Sequence, residues 1–492
     1  VPLSRSLPPD PPHAGPPPQP RRNQMAYNTS RARFSPPAPA APRPRKRGRS
    51  PPAAVWCASA YVPPFDHRRR WQNHAGAPRR VWQGYPGSVP SRRWIVADEA
   101  STSSRDSCTI MSYNILADTH AQNHPALYWD VPWDAMRWDS RRRLILNEIR
   151  LWDSDLVCLQ EVDRFRGIAA EMQQRGYECS FKGRTWDAED GCATFWKSER
   201  LRLLEEDSID FSEFNLWNNV AQILVFELNG TQKFVLGNIH VLFNPKRGDI
   251  KLGQIRMLLE KSKALSEKWD GIPIVLAGDF NCTPDSAIYK FLSTMKLNVS
   301  LHDRRQLSGL EDSEDLYELY RWSAEQVRNA TGFSNVMVAR HPLKLCSSYA
   351  MLKGNSSNRG DHGEPLATSY HKKFLGTVDY LWYTRGLECS RVLDTPPLSA
   401  LRKTRGLPTR EIGSDHLPIV AEFVFTGPTP DDSEQECDSE QEDDSEQEDD
   451  SAQKDHSEQE DESEQQDESE QDDASAQETT RAKHIYFADS DS

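Results

Sequence analysis

Apolar runs of strand length, each ending on a group suited to grip a cation or a phosphate, recur along this chain and limit the folds open to it. The clearest is residues 274–284, IVLAGDFNCTP. Ile274, Val275 and Leu276 read as a strand buried on both faces. Gly278 lets the backbone turn closely at the strand's end, and Asp279 and Asn281 follow with one residue between them. Alternate positions of an extended segment share a side. Carboxylate and carboxamide are therefore expected together at the mouth of a sheet, where α/β proteins usually place their chemistry. A helix is expected over residues 285–293, and the plainer reading of Asp279 is as that helix's cap.

The pattern repeats. Residues 108–114 (CTIMSYN) read as a strand ending on Asn114, residues 155–161 (DLVCLQE) as one ending on Glu161, and residues 234–240 (FVLGNIH) as one ending on His240. Asp379 lies near the start of a strand at 377–383, and Asp415 and His416 just before the strand at 416–425. Strands are also expected over 191–197 and 220–228. Helices are expected over Trp138–Trp152, where Trp138, Ile145, Ile149 and Trp152 share a face, over 166–176, and over 249–268. The polar stretch 302–365 reads as an insertion over or beside the site, helical from 313 to 329. Taken singly, His240 is more often a core histidine and Asp379 a turn residue. Seven or eight such termini converging make a site.

Composition divides the chain into three. Residues 1–104 carry 17 basic and 4 acidic side chains among many prolines, and the last 62 residues carry 27 acidic and 3 basic. Neither end has the apolar content to offset chain entropy, so 1–104 and 428–492 are expected to be disordered. The near-neutral block 105–427 is large enough for one α/β domain, and the net charge of −14 belongs to the tail. Within the first segment, residues 43–49 (RPRKRGR) read as a nuclear import signal, an RNA contact or a solvated linker. Its arginine-rich, acid-poor character also fits an organellar transit peptide. Nuclear or cytoplasmic location is expected, with a slight lean to the nucleus. In the tail, serines recur every six residues from Ser433 to Ser475, a period of neither helix nor heptad. The nine cysteines form no CxxC pair, which points to free thiols. No run of 18 apolar residues exists to span a membrane.

Carboxylates with amide carbonyls are hard ligands for Mg²⁺ or Mn²⁺, whereas zinc would call for thiolates or more histidines. With two histidines beside them they point to phosphoester hydrolysis. An acidic site holds a polyanion only when a cation is present.

The motifs SYNILAD (112–118), LQEVD (159–163), GNIHVLFNP (237–245), KLGQ (251–254), AGDFNCTP (277–284), FLGTVDYLWY (374–383) and GSDHLPI (413–419) occur in this order. The block resembles the exonuclease/endonuclease/phosphatase superfamily, and within it the carbon-catabolite-repressor deadenylases with their relatives nocturnin and the angel proteins. The resemblance implies a four-layer sandwich of two mixed β-sheets flanked by helices. It also implies a magnesium-dependent 3′→5′ exoribonuclease that shortens poly(A) tails of mRNA and releases 5′-AMP, with two ions and manganese as a substitute. Glu161 and Asn114 would hold one metal. Asp279 and Asn281 would bind a second, or position the attacking water and scissile phosphate. His240 would donate to the phosphate, His416 would contact the phosphate or a bound water with its tautomer set by Asp379, and Asp415 would complete the shell. Pro245 and Phe374 would sandwich the terminal adenine. Two rivals are a phosphatase acting on a dinucleotide 2′-phosphate or RNA-end phosphate, and a catalytically inactive RNA-binding scaffold. Members that work within the large deadenylation complex carry leucine-rich repeats before the nuclease domain. Residues 1–104 have no such period, so docking to that complex by this route is not expected.

Overall fold

The computed structural model describes residues 92–97, 106–310, 321–352, 354 and 357–426. The 43–49 cluster, the 428–492 repeat and residues 313–320 of the expected 313–329 helix lie outside them. Two mixed sheets stack face to face. The first runs in the order Trp94–Val96, Leu387–Leu393, Ile419–Phe425, Ser107–Asn114, Leu156–Gln160, Gly191–Lys197 and Tyr177–Gly183. The second runs Cys346–Ser347, Asp379–Tyr383, Ile274–Asp279, Gln232–His240, Val220–Leu228 and Leu201–Asp210. Each sheet has one parallel pair at its centre: Ser107–Asn114 beside Leu156–Gln160, and Gln232–His240 beside Ile274–Asp279.

Three apolar layers hold the stack together. Between the sheets, Ile110, Cys158 and Ala421 share a buried cluster with Leu236, Ala277 and Leu381. Outside the first sheet, Met111, Val157 and Phe195 meet Ile145 and Ile149 of the Trp138–Trp152 helix and Ile168 and Met172 of the Phe165–Gln173 helix. Outside the second, Val225, Val235 and Leu276 meet Leu252, Ile255 and Leu259 of the Gly248–Lys268 helix. Central strands covered on both faces read as continuous apolar runs rather than alternating ones. The expected four-layer α/β sandwich is the fold found.

Several local expectations change. Trp94–Val96 lies within the segment that composition set apart from the block, yet it extends the first sheet by pairing with Leu387–Leu393. Gly278 does not make a turn: it sits inside a strand opposite Ile239, and a Cβ there would meet the Ile239 carbonyl oxygen at 2.0 Å. The Ala324–Thr331 helix of the 302–365 stretch packs against the Gly248–Lys268 helix and does not cover the site. Gly253 lets it come close, since a Cβ at that position would meet the Asn329 carbonyl oxygen at 2.3 Å. Among the described residues there is no disulfide, and Cys108, Cys158, Cys192, Cys282 and Cys389 are buried thiols. No described helix is long and apolar enough to cross a membrane.

Candidate active site

Strand register gathers the polar termini. In the second sheet Asp279 is the partner of both His240 and Asp379 on its two sides, so these three leave the sheet at one rim. In the first sheet Asn114 is the partner of Gln160, and Glu161 follows directly. The sheets then meet: Asn114 Nδ2 donates to Glu161 Oε1 at 3.0 Å and across the interface to Asp279 Oδ2 at 3.1 Å. An isolated bridge of Ser369 with His416 brings in the last segment. His416 donates from Nδ1 to Asp379 Oδ2 at 2.9 Å, and its Nε2 lies 3.8 Å from Asp279 Oδ2. His240 Nε2 stands 3.7 Å from Asp279 Oδ2 and 3.9 Å from Glu161 Oε1. Tyr128 donates its hydroxyl to Asp415 Oδ2 at 2.8 Å.

The loop after the Ile274–Asp279 strand is not extended, as the sequence pattern implied. Asn281 has φ 48°, its N–H donates to Asp279 Oδ1 at 2.9 Å, and its side chain donates to the Val241 carbonyl at 2.9 Å. Two residues of the KLGQ motif hold this rim from behind. Buried Lys251 donates to the Asn281 carbonyl at 2.9 Å, and Gln254 accepts from the Leu242 N–H at 2.9 Å while donating to the Leu216 carbonyl. Glu161 also has a left-handed backbone, φ 57°, a conformation that non-glycine residues seldom hold away from turns and functional sites.

The cleft between these groups has a volume of about 230 Å³. Glu161, His240, Asp279, Asn281, Phe374, Asp415 and His416 line it. Pro245 does not; it is half-buried on a neighbouring loop, and Phe243 faces the cleft from that loop instead. Phe374 is 3% exposed, packed against Leu310 and Val378. Of the expected proline–phenylalanine pair, only Phe374 lines the cleft.

Charges in the cleft are unevenly balanced. Burial, with Asp379 close by, pushes Asp279 up to about 7, and burial also raises Asp415. Glu161 is held well below the usual carboxylate range against its burial, chiefly by His120 and then by His240 and Asn114. His416 stays protonated despite burial because Asp379, Asp415 and Asp279 face it. Burial drops His240 to about 4 and His371 to about 3, so both are neutral. Oxygen donors crowded so closely that carboxylates resist ionisation are stabilised by a cation. Asp279, Asp379 and His416 bring ligand atoms within 4.8 Å of one another, and the Nδ1 of His240 is buried without a partner. The donor set fits a hard divalent ion.

Sequence reasoning missed several contributors. His120 Nδ1 meets Glu161 Oε2 at 2.9 Å, and its Nε2 lies 3.4 Å from Asp190 Oδ1, which Arg184 neutralises at 3.2 Å. Thr368 donates to Asp379 Oδ2 at 2.6 Å, and His371 lies beside Phe374 with ring centroids 6.0 Å apart. Only His120 left a trace, two residues past the SYNILAD motif.

Comparison with known proteins agrees with this geometry. Residues 111–416 match the Endonuclease/Exonuclease/phosphatase family. The chain is 46% identical to carbon catabolite repressor protein 4 homolog 3 of Arabidopsis thaliana, covering 75% of this chain and 89% of that protein. It is 27% identical to the CCR4-Not complex 3′-5′-exoribonuclease subunit Ccr4 of Phaeosphaeria nodorum, covering 70% of this chain and 64% of that one. Among solved structures, ANGEL2, a 2′,3′-cyclic phosphatase in complex with adenosine-2′,3′-vanadate, aligns with a TM-score of 0.60 at 31% identity, over 69% of this chain and 99% of that one. The chain therefore belongs to the Endonuclease/Exonuclease/phosphatase family of hydrolases, among the homologs of carbon catabolite repressor protein 4.

Proposed function

We propose that this protein is a magnesium-dependent 3′→5′ exoribonuclease that removes adenosines from RNA tails and releases 5′-AMP. The observation that carries the reading is the cross-sheet meeting of Asn114, Glu161 and Asp279, with the His416–Asp379 pair and His240 around it. Glu161, Asp279, Asn114 and Asp415 would hold one or two magnesium ions, with manganese as a substitute. When bound, such an ion supplies charge neutralisation for the phosphate and activation of water. His416, kept cationic by Asp379, donates to a phosphate oxygen. His240 is a neutral donor at the same phosphate, and Asn281 orients the scissile group. Phe374 and, from the loop that carries Pro245, Phe243 offer faces to the terminal base. The 43–49 cluster supports a nuclear address.

A 5′-labelled RNA with a long adenosine tail tests this. The tail should shorten one nucleotide at a time only with Mg²⁺ or Mn²⁺. Glu161→Gln should slow the reaction on the order of a hundredfold or more, equivalent to about 2.7 kcal/mol or more of lost charge stabilisation. Undiminished hydrolysis by that variant would overturn the metal assignment. Phe374→Ala should slow an A-tailed RNA more than a U-tailed one, and equal loss would remove the adenine preference. The likeness to ANGEL2 over nearly all of that chain supports a second reading, a phosphatase on RNA ends. Phosphate release from 2′,3′-cyclic ends without AMP would favour it.

A further inference from the structure

Among the exposed aromatic side chains outside the cleft lining, Trp186 and Trp217 stand together. Trp186 is 63% exposed and Trp217 43%. Their rings meet near edge-on with centroids 5.6 Å apart, and both have a left-handed backbone, φ 60° and 72°. A bulky residue there is strained and needs support from its surroundings; two in contact, both exposed, are not explained by core packing. The loops that carry them are cross-tied. Thr185 N–H donates to the Asn218 carbonyl at 3.3 Å, Asn218 Nδ2 donates back to the Thr185 carbonyl at 3.3 Å, and Arg184 Nη2 donates to Asn218 Oδ1 at 2.7 Å. Arg184 and Asn219 line the cleft, each two residues from one of the tryptophans. The Cα atoms of the two tryptophans therefore lie within about 7 Å of those of cleft-lining residues. The Arg247 guanidinium sits 6.0 Å from the Trp217 ring centroid, but Asp249 matches its charge at 3.0 Å. What this surface offers is flat π area more than net positive charge.

We propose that Trp186 and Trp217 form a stacking platform for bases of a single-stranded RNA, upstream of the bond cut in the cleft; the proposal rests on the nuclease reading above. Bases stack on exposed indoles with little regard to sequence. A chain leaving the cleft past Arg184 and Asn219 meets these rings next, whereas a lone end phosphate or a dinucleotide fills the cleft without reaching them. The platform thus selects a polymer over a small phosphoester.

The test uses Trp186→Asn and Trp217→Asn, singly and together, because asparagine tolerates left-handed backbone and removes the ring. Trp217→Phe keeps an aromatic face. Steady-state rates are measured on long oligo(A) and on the adenosine dinucleotide, at low and high salt. The double variant should raise KM for oligo(A) about tenfold or more, by the same factor at both salts, with kcat and the dinucleotide parameters unchanged. Trp217→Phe should retain most of the wild-type KM. An unchanged KM for oligo(A), or an equal loss on the dinucleotide, overturns the platform. Should the wild type cut neither RNA, the nuclease reading has failed, and anisotropy of labelled oligo(A) judges the platform alone: weaker binding by the double variant supports it and equal binding overturns it. A change in sedimentation with RNA binding unaltered would assign the ring pair to contacts between copies of the chain, and also overturns it.

Discussion

Glu161 and Glu364 are both carboxyl groups with little access to water, and their surroundings push them in opposite directions. At Glu161 the imidazoles of His120 and His240 outweigh burial. At Glu364 burial wins and lifts the group to about 7, with the Tyr289 hydroxyl, 2.9 Å away, offsetting only part of it. A carboxyl whose folded value lies above its unfolded value near 4.5 binds more protons when folded, so stability falls as pH rises from about 4.5 to 7. The cost accumulated above pH 7 is about 3 kcal/mol. Glu364→Gln should remove it. Denaturant unfolding at both ends of that window should show the variant's stability relative to wild type rising with pH, and a constant difference would refute the assignment. Neither environment was legible in the sequence. Glu161 stood out because it ends an apolar run, but its partner His120, and the Asp190 that His120 also meets, come from segments with no periodic signal. Glu364 lies in a stretch read only as polar insertion.

Strands with both faces buried were legible, and edge strands with one wet face were not. The runs behind Ser107–Asn114, Leu156–Gln160, Gln232–His240 and Ile274–Asp279 could be read within a residue or two because apolar residues dominate each of them. The Leu201–Asp210 strand, LRLLEEDSID, escaped notice because it is the edge of the second sheet, and its charges mark an edge more than they mark a strand. Trp94–Val96 escaped for a related reason, being short and set in an arginine-rich segment. Its contacts are nonetheless specific. Trp94 meets Trp152 edge-on with centroids 6.1 Å apart and carries the Arg391 guanidinium 4.4 Å from its ring centroid, while Arg92 donates to the carbonyls of Asp394 and Leu393. A chain beginning at residue 98 should therefore lose about 2–4 kcal/mol against one beginning at residue 91, from the lost burial of Trp94 and Ile95. Urea midpoints of the two truncations check this, and equal midpoints would make the strand an ornament of the edge. The polar stripe between the sheets was also invisible: Gln160 donates to Asn238 at 2.9 Å, Asn238 to Gln222 at 3.2 Å, and Gln222 to Ser180 at 2.7 Å. Side chains of this kind inside a strand show their partners only once both sheets are stacked.

At the scale of the whole molecule the governing quantity is where charge of each sign sits. The cleft collects carboxylates, yet the proposed substrate is a polyanion, and the block around the cleft is close to neutral. Beyond it the chain carries 27 acidic and 3 basic side chains in its last 62 residues, and 17 basic against 4 acidic in its first 104. A segment of that charge would compete with RNA for arginine-rich surface, and because such a competition is electrostatic, salt should weaken it. Removing residues 431–492 should lower KM for oligo(A) at low ionic strength. The advantage should shrink as the Debye length falls to about 8 Å at physiological salt, while kcat stays constant, because the residues around Glu161 and Asp279 are untouched. Rates with the full and shortened chains across a salt series decide the matter. A KM independent of the tail at every salt would mean that its charge serves solubility alone, while a KM lowered equally at all salts would point to steric exclusion in place of charge. The platform at Trp186 and Trp217, where the nearby guanidinium is already matched by Asp249, should not respond to the tail. The KM changes from loss of the rings and loss of the tail should therefore multiply, their free energies being additive.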